Sequence, residues 1–222
     1  MGTLYLVRHG QASFGADDYD LLSSVGHRQS VRLGEYFAHK GVAFEAAISG
    51  TLLRHSQTHA GICEGAGIQL EALSCPGLNE YDSAAVIAAI HPEKLPRPDT
   101  PERYRHHFRL LRNGLTQWMN GAVSPAGMPH YTDFVGGVRA ALDHVRTTFS
   151  GNVLLVSSGG PIATAVGHIL GAPAEATIEL NMRIRNSALT EFVFNPKRYS
   201  LLTFNTLPHL DAPHYADWQT YA

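Results

Sequence analysis

Residues 152–173 read NVLLVSSGGPIATAVGHILGAP. The run Val153-Leu154-Leu155-Val156 has no polar alternation, so it predicts a strand covered on both faces rather than one with a wet side. Directly behind it a helix opens with Pro161 in its first turn and ends at Gly171 and Pro173. A doubly buried strand that feeds a helix is part of a strand–helix–strand unit. Such units cross over right-handed and build a mostly parallel sheet with helices on both faces. The alternation recurs along the chain. Thr3–Val7 is β-branched and aromatic enough for a strand. A helix runs from about Ser24, with Leu33 and Phe37 on one face and Gly41 as its stop. FEAAISG (44–50) is a short buried strand, and TLLRHSQTHAGICEGAG follows it as a helix. ALTEFVF (188–194) and YSLLTFN (199–205) flank an Asn195-Pro196 turn and read as a hairpin that puts one antiparallel strand on the sheet.

The middle of the chain breaks this pattern. Residues 81 to about 132 contain no convincing strand. HPEKLPRPDTP and GAVSPAGMPHYTD are loops. Between them a helix starts at Thr100-Pro101-Glu102 and carries Tyr104, Phe108, Leu111, Leu115 and Trp118 at helical spacing, a stripe expected to be packing surface. A further helix spans 134–149. The expected architecture is therefore a three-layer αβα sandwich forming a single domain over residues 1–222. Residues 81–132 form a helical cap inserted over one sheet edge.

With 222 residues the chain is long enough to bury a stable core without disulfides. A net charge of −2 argues against nucleic acid or a membrane surface as the main partner. No apolar run reaches the length of a membrane span, and the start lacks a secretory signal. Cys63 and Cys75 have no metal-type spacing and read as reduced thiols in a cytoplasmic protein. The exposed strand edges and the C-terminal ADWQTYA are the surfaces available to a homodimer.

Ligands of open parallel sheets bind beyond the carboxyl ends of the strands. Three features fall there: Arg8-His9-Gly10, Arg54, and Ser158-Gly159-Gly160. Each has a plainer reading, as a solvent-facing turn or a helix cap. Together they describe an anion site, because the guanidinium fork matches phosphate oxygens and a helix N-terminus adds N–H donors.

The motifs that carry these residues resemble those of the histidine phosphatase superfamily, in its phosphoglycerate-mutase-like branch. LVRHG (6–10) is similar to the family signature. LLSSVGHRQ (21–29) resembles its Leu-Thr/Ser-x-x-Gly-x-x-Gln helix start, and SGTLLRHSQTH (49–59) its Ser-x-x-x-x-Arg-x-x-Gln-Thr segment. GLNEYD (77–82) resembles its acid motif, and VLLVSSGGPI (153–162) its Val-Ser-His-Gly-Gly strand end. The resemblance implies a phosphoglycerate-mutase-like fold and a phosphatase acting on a small phosphomonoester. It implies His9 as the nucleophile that becomes a phosphohistidine, its second ring nitrogen held protonated by an acceptor. Arg8 and Arg54 bind the phosphoryl oxygens, and Glu80 protonates the leaving oxygen. Ser158 and Gly159 complete the phosphate site. No metal or cofactor is implied. Alternatives are a mutase, or an impaired phosphate-binding or scaffold protein of the same fold.

Two departures stand out. The second family histidine is replaced by Ser158, a neutral donor in place of a charged one. That costs about 1–3 kcal/mol at the transition state, or roughly tenfold to a few hundredfold in rate, and makes Ser158→His the substitution to test for a gain. His168 is roughly 15 Å along its helix and too distant to substitute. His55, His209 and His214 are candidates to do so. Gly15 stands where many members have an asparagine, with Gln11 or Ser13 as candidates to compensate. His55 and His59 have zinc-type spacing without a third ligand and read as ordinary surface or core histidines. Arg105, Arg109 and Arg112 form either a solvated helix face or a basic wall at the pocket mouth.

Overall fold

The computed structural model describes residues 1–13, 20–93, 95–96 and 99–221. Strand β1 (Gly2–Arg8) lies near the middle of a six-stranded sheet, with β4 (Asn152–Ser157) parallel on one side and β5 (Leu189–Asn195) antiparallel on the other. Outside β4 come β2 (Phe44–Ser49) and the short β3 (Ala72–Ser74); outside β5 comes β6 (Arg198–Thr206). Because β5 and β6 form a hairpin, β5 is the one strand that runs against the others.

The double burial expected of β4 is met by helices on both sides. Val153 and Leu155 point to one face, with Leu4 and Leu6 of β1. There they pack on α5 (Tyr131–Thr148) and α6 (Gly159–Leu170) through Val138, Val145 and Ile162. Leu154 and Val156 point to the other face with Val7, against Leu33 and Phe37 of α1 (Ser24–His39) and Ile62 of α2 (Leu53–Ala66). Ser23 caps α1 by accepting the Gly26 N–H, and Gly41 takes a left-handed φ of 64° just past the helix end.

The stretch 81–132 holds α3 (Ser83–Ala88), α4 (Pro101–Met119) and the first residues of α5, with no strand among its described residues. Thr100 caps α4 as expected. Leu111, Leu115 and Trp118 form a small core with Val86 and Ile87 of α3 and with Ile178 of α7 (Ala174–Arg183). Helix α5 begins at Tyr131 rather than 134, where the Tyr131 and Phe134 rings both pack on Trp118. The short helix α3 and two further elements escape the sequence reading. β3 is three residues long and half exposed, and α7 follows a Gly171–Pro173 break that reads as an end.

Candidate active site

The sheet register assembles the site. Arg8 pairs with Ser157, and Ser49 with Val156, so the carboxyl ends of β1, β4 and β2 finish at neighbouring levels. The ladder then continues one step: the His9 N–H donates to the Ser157 carbonyl at 2.9 Å and the Gly50 N–H to the Val156 carbonyl at 3.1 Å. His9, Ser158 and Gly50 therefore sit side by side just past the strand ends. Gly10 is required there by close approach, since a Cβ would lie 2.4 Å from the Gly26 carbonyl oxygen of α1.

His9 is 4% exposed. Its Nδ1 lies 2.7 Å from the Gly10 carbonyl oxygen, an acceptor, so Nδ1 carries the proton and Nε2 keeps its lone pair. Burial, and then the positive charges of Arg8 and Arg54, hold the ring well below the usual imidazole range, so it is neutral. Arg8 donates to the carbonyls of Ile184 (2.6 Å) and Tyr221 (2.7 Å). Arg54 pairs with Asp20 at 2.6 Å, and the same carboxylate accepts the Leu53 N–H at the start of α2. Glu80 is half-buried and accepts the Gly160 N–H on both oxygens, at 3.1 and 3.2 Å. Burial raises its carboxyl above the ordinary range, although the Gly160 N–H and the two arginines pull the other way.

These groups line one cavity of about 370 Å³: Arg8, His9, Arg54, Glu80 and Gly159 at its floor. Ser158 departs from expectation. It is fully buried and lies outside the lining, and its hydroxyl shares a 2.7 Å hydrogen bond with His55 Nε2 beneath the floor. Of the candidate substitutes, His55 thus meets Ser158 from below, with its ring centroid 5.8 Å from that of His9. His209 bonds Ser187 at 2.9 Å, and His214 packs on Tyr215.

The walls differ from the floor. The α4 stripe splits: Tyr104 and Phe108, expected as packing surface, line the cavity together with Leu111 and His107. Arg105, Arg109 and Arg112 are exposed on another face and line no part of it. Arg112 pairs instead with Glu179, which settles the choice for a solvated helix face. His55 and His59 take different partners, Ser158 and Cys63, and no cluster fit for a metal ion occurs among the described residues. Nor is any described helix long and apolar enough to cross a membrane. Gly15 lies outside the described residues.

Several supporting residues carry no chemical signal of their own. Thr58 accepts the Gly10 N–H at 3.0 Å, and Gln29 accepts the Gln11 N–H at 2.8 Å. Gln29 also donates to the Trp218 carbonyl and to the Thr220 hydroxyl, and the Asn186 N–H bonds the Thr220 carbonyl. The residues Trp218–Tyr221 are thereby tied to the surroundings of the site, with Tyr221 in the cavity lining. Ser187, at a left-handed φ of 55°, donates its N–H to the His9 carbonyl. Motif spacing marks Gln29 and Thr58; nothing in the sequence marks Asp20, Ser187 or the C-terminal turn.

Solved structures similar over nearly the whole chain include a phosphoserine phosphatase from Entamoeba histolytica in complex with 3-phosphoglyceric acid. It is 21% identical, with a TM-score of 0.66, covering 95% of this chain and 100% of that one. An alpha-ribazole phosphatase from Shigella flexneri is 20% identical, with a TM-score of 0.66, covering 92% and 96%. A phosphoglycerate mutase from Bacillus anthracis is 17% identical, with a TM-score of 0.66, covering 94% of each chain. No curated protein matches the sequence. At these identities the likeness shows a phosphoglycerate-mutase-like fold. The family model of branch 1 matches residues 4–207, a span that holds every motif and all the floor residues described above, and the chain belongs to the histidine phosphatase superfamily.

Proposed function

We propose that the protein is a phosphatase that hydrolyses a small phosphomonoester through a phosphohistidine on His9. The observation that carries this reading is the setting of His9: its Nδ1–H is committed to the Gly10 carbonyl, and its ring lines one cavity with the Arg8 and Arg54 guanidinium groups and the Glu80 carboxyl. His9 Nε2 attacks phosphorus, the bond to the leaving oxygen breaks, and protonated Glu80 gives that oxygen its proton. Water then attacks the phosphohistidine, Glu80 takes its proton, the N–P bond breaks, and phosphate leaves. Arg8, Arg54 and the Gly159 N–H neutralise the phosphoryl oxygens, so the mechanism calls on no metal ion. Beyond the floor the alcohol portion meets Tyr104, Phe108, Leu111 and Met182, a wall suited to an apolar or aromatic group.

A second reading, a phosphate-binding protein without turnover, is favoured by one observation, the withdrawal of Ser158 from the floor. Hydrolysis of 4-nitrophenyl phosphate with EDTA present, by the protein and by His9→Ala, separates the two. The enzyme reading expects turnover that survives EDTA and disappears in the variant. Equal rates for both proteins across aryl and alkyl phosphates would leave the binding reading.

A further inference from the structure

Ser158 occupies the N-cap position of α6, with the extended backbone a cap requires, yet its side chain makes no capping bond. A serine at this position ordinarily accepts the N–H of the second or third helical residue. In α6 the third residue is Pro161, which has no N–H, so the Gly160 N–H is the one group Ser158 could cap. That N–H is held by both oxygens of Glu80. The serine hydroxyl and the Glu80 carboxylate therefore have a claim on the same donor. In the structure the hydroxyl is turned away and held at 2.7 Å by His55 Nε2.

We infer that His55 is a positioning residue that restrains the Ser158 hydroxyl and so reserves the Gly160 N–H for Glu80. The inference rests on Glu80 as the acid proposed above. The site is built for the restraint. His55 is fully buried, and its ring fits because position 50 is glycine: a Cβ there would lie 2.2 Å from His55 Nδ1. Nδ1 itself has no hydrogen-bond partner among the described residues, so Ser158 is the contact that fixes the ring. Burial and the nearby Arg54 charge keep the ring neutral, which suits a hydrogen bond to a hydroxyl without adding charge under His9. Released from His55, Ser158 caps α6, and Glu80 loses the Gly160 N–H and keeps the longer 3.3 Å bond from the Tyr81 N–H.

The test is a double-mutant cycle with two readouts, on the full chain. His55→Leu fills the space and removes the bond; Ser158→Ala removes the competing hydroxyl; the third variant carries both. The first readout is the titration of the Glu80 side-chain carboxyl by 13C NMR, read with Arg8, Arg54 and Tyr81 unchanged around it. The second is turnover of an alkyl phosphate, whose leaving group needs the acid. In His55→Leu, Glu80 is expected to titrate higher and turnover to fall about tenfold or more, the loss of one hydrogen bond to a charged group. In the Ser158→Ala background the same His55→Leu change is expected to alter neither readout. His55→Gln, which keeps a side-chain N–H for Ser158, is expected to titrate as the parent does. Equal effects of His55→Leu with and without the Ser158 hydroxyl overturn the inference, since a residue that merely fills space would behave so. If the parent shows no more turnover than His9→Ala while the Glu80 titrations follow the cycle, the hydrolase reading falls and the role of His55 stands.

Discussion

Acidifying the protein from pH 7 to pH 5 is expected to remove about 4 kcal/mol of folding stability through two histidines alone. His55 and His209 are 0% and 2% exposed, and burial, with Arg54 beside the first and Arg32 and Arg185 beside the second, holds each down to about 3. In the unfolded chain both titrate near 6.5. A histidine with a depressed native value is protonated first in the unfolded chain. Its contribution is therefore fully present above about pH 6.5 and is lost as the pH falls toward about 3. Between pH 7 and pH 5 the proton-linkage integral gives roughly 2 kcal/mol for each group, set against a typical total of about 5–15 kcal/mol. His9 acts in the same direction, and Glu80, with its raised value, offsets part of the loss at the acid end. Urea unfolding at pH 7 and pH 5 measures the difference directly. His209→Gln keeps a partner for the Ser187 hydroxyl but cannot titrate, so it is expected to lose about 2 kcal/mol less than the parent over the same interval. A parent that loses under about 1 kcal/mol, or a variant as acid-sensitive as the parent, would refute the assignment of these rings as buried and neutral.

Glu80→Gln is expected to slow an alkyl phosphate by about a hundredfold or more and 4-nitrophenyl phosphate far less, because a good leaving group needs no acid; equal losses on both substrates would remove Glu80 from that role. Ser158→His, attractive from the sequence as a gain, is expected to lower phosphatase activity, since the His55 ring already fills the space beside position 158; a faster enzyme would show that the two rings fit together. Trp118→Ala is expected to cost about 3–5 kcal/mol in urea unfolding, because the side chain is 1% exposed and anchors the core shared by α3, α4 and α7. A loss below about 1 kcal/mol would mean that this helical layer contributes little to the fold.

Strong local signals made most of the architecture legible. The β4 and α6 boundaries, the α1 start and stop and the terminal hairpin each rest on residues whose conformational preference and tertiary setting agree. β3 gave no signal because three residues at a sheet edge need not be apolar, and α7 was hidden by the Gly171–Pro173 break before it. At the site, motif spacing brought His9, Arg8, Arg54 and Glu80 to one cavity. It did not reveal which way short side chains turn. Ser158 is expected at the phosphate because it stands where the family has its second histidine, whereas its hydroxyl meets His55, 103 positions away in sequence. The tie of Trp218–Tyr221 to Gln29 and Arg8 was equally unreadable, since main-chain carbonyls are what the side chains seek and every residue has one.

The placement of β1 also governs the order in which the molecule can form. Gly2–Arg8 emerges from the ribosome before the rest of the sheet, yet Thr3 pairs with Asn152 on one side and with Val193 on the other. Until those segments exist, an apolar strand with both edges open waits in a nascent chain, the circumstance in which strands pair wrongly or recruit chaperones. His9, the nucleophile of the proposed reaction, sits one residue beyond that strand, and the carbonyls that hold Arg8 belong to Ile184 and Tyr221. A half-made chain thus lacks the proposed anion site, and on that proposal the first appearance of phosphate affinity during synthesis or refolding would mark closure of the sheet around its earliest strand.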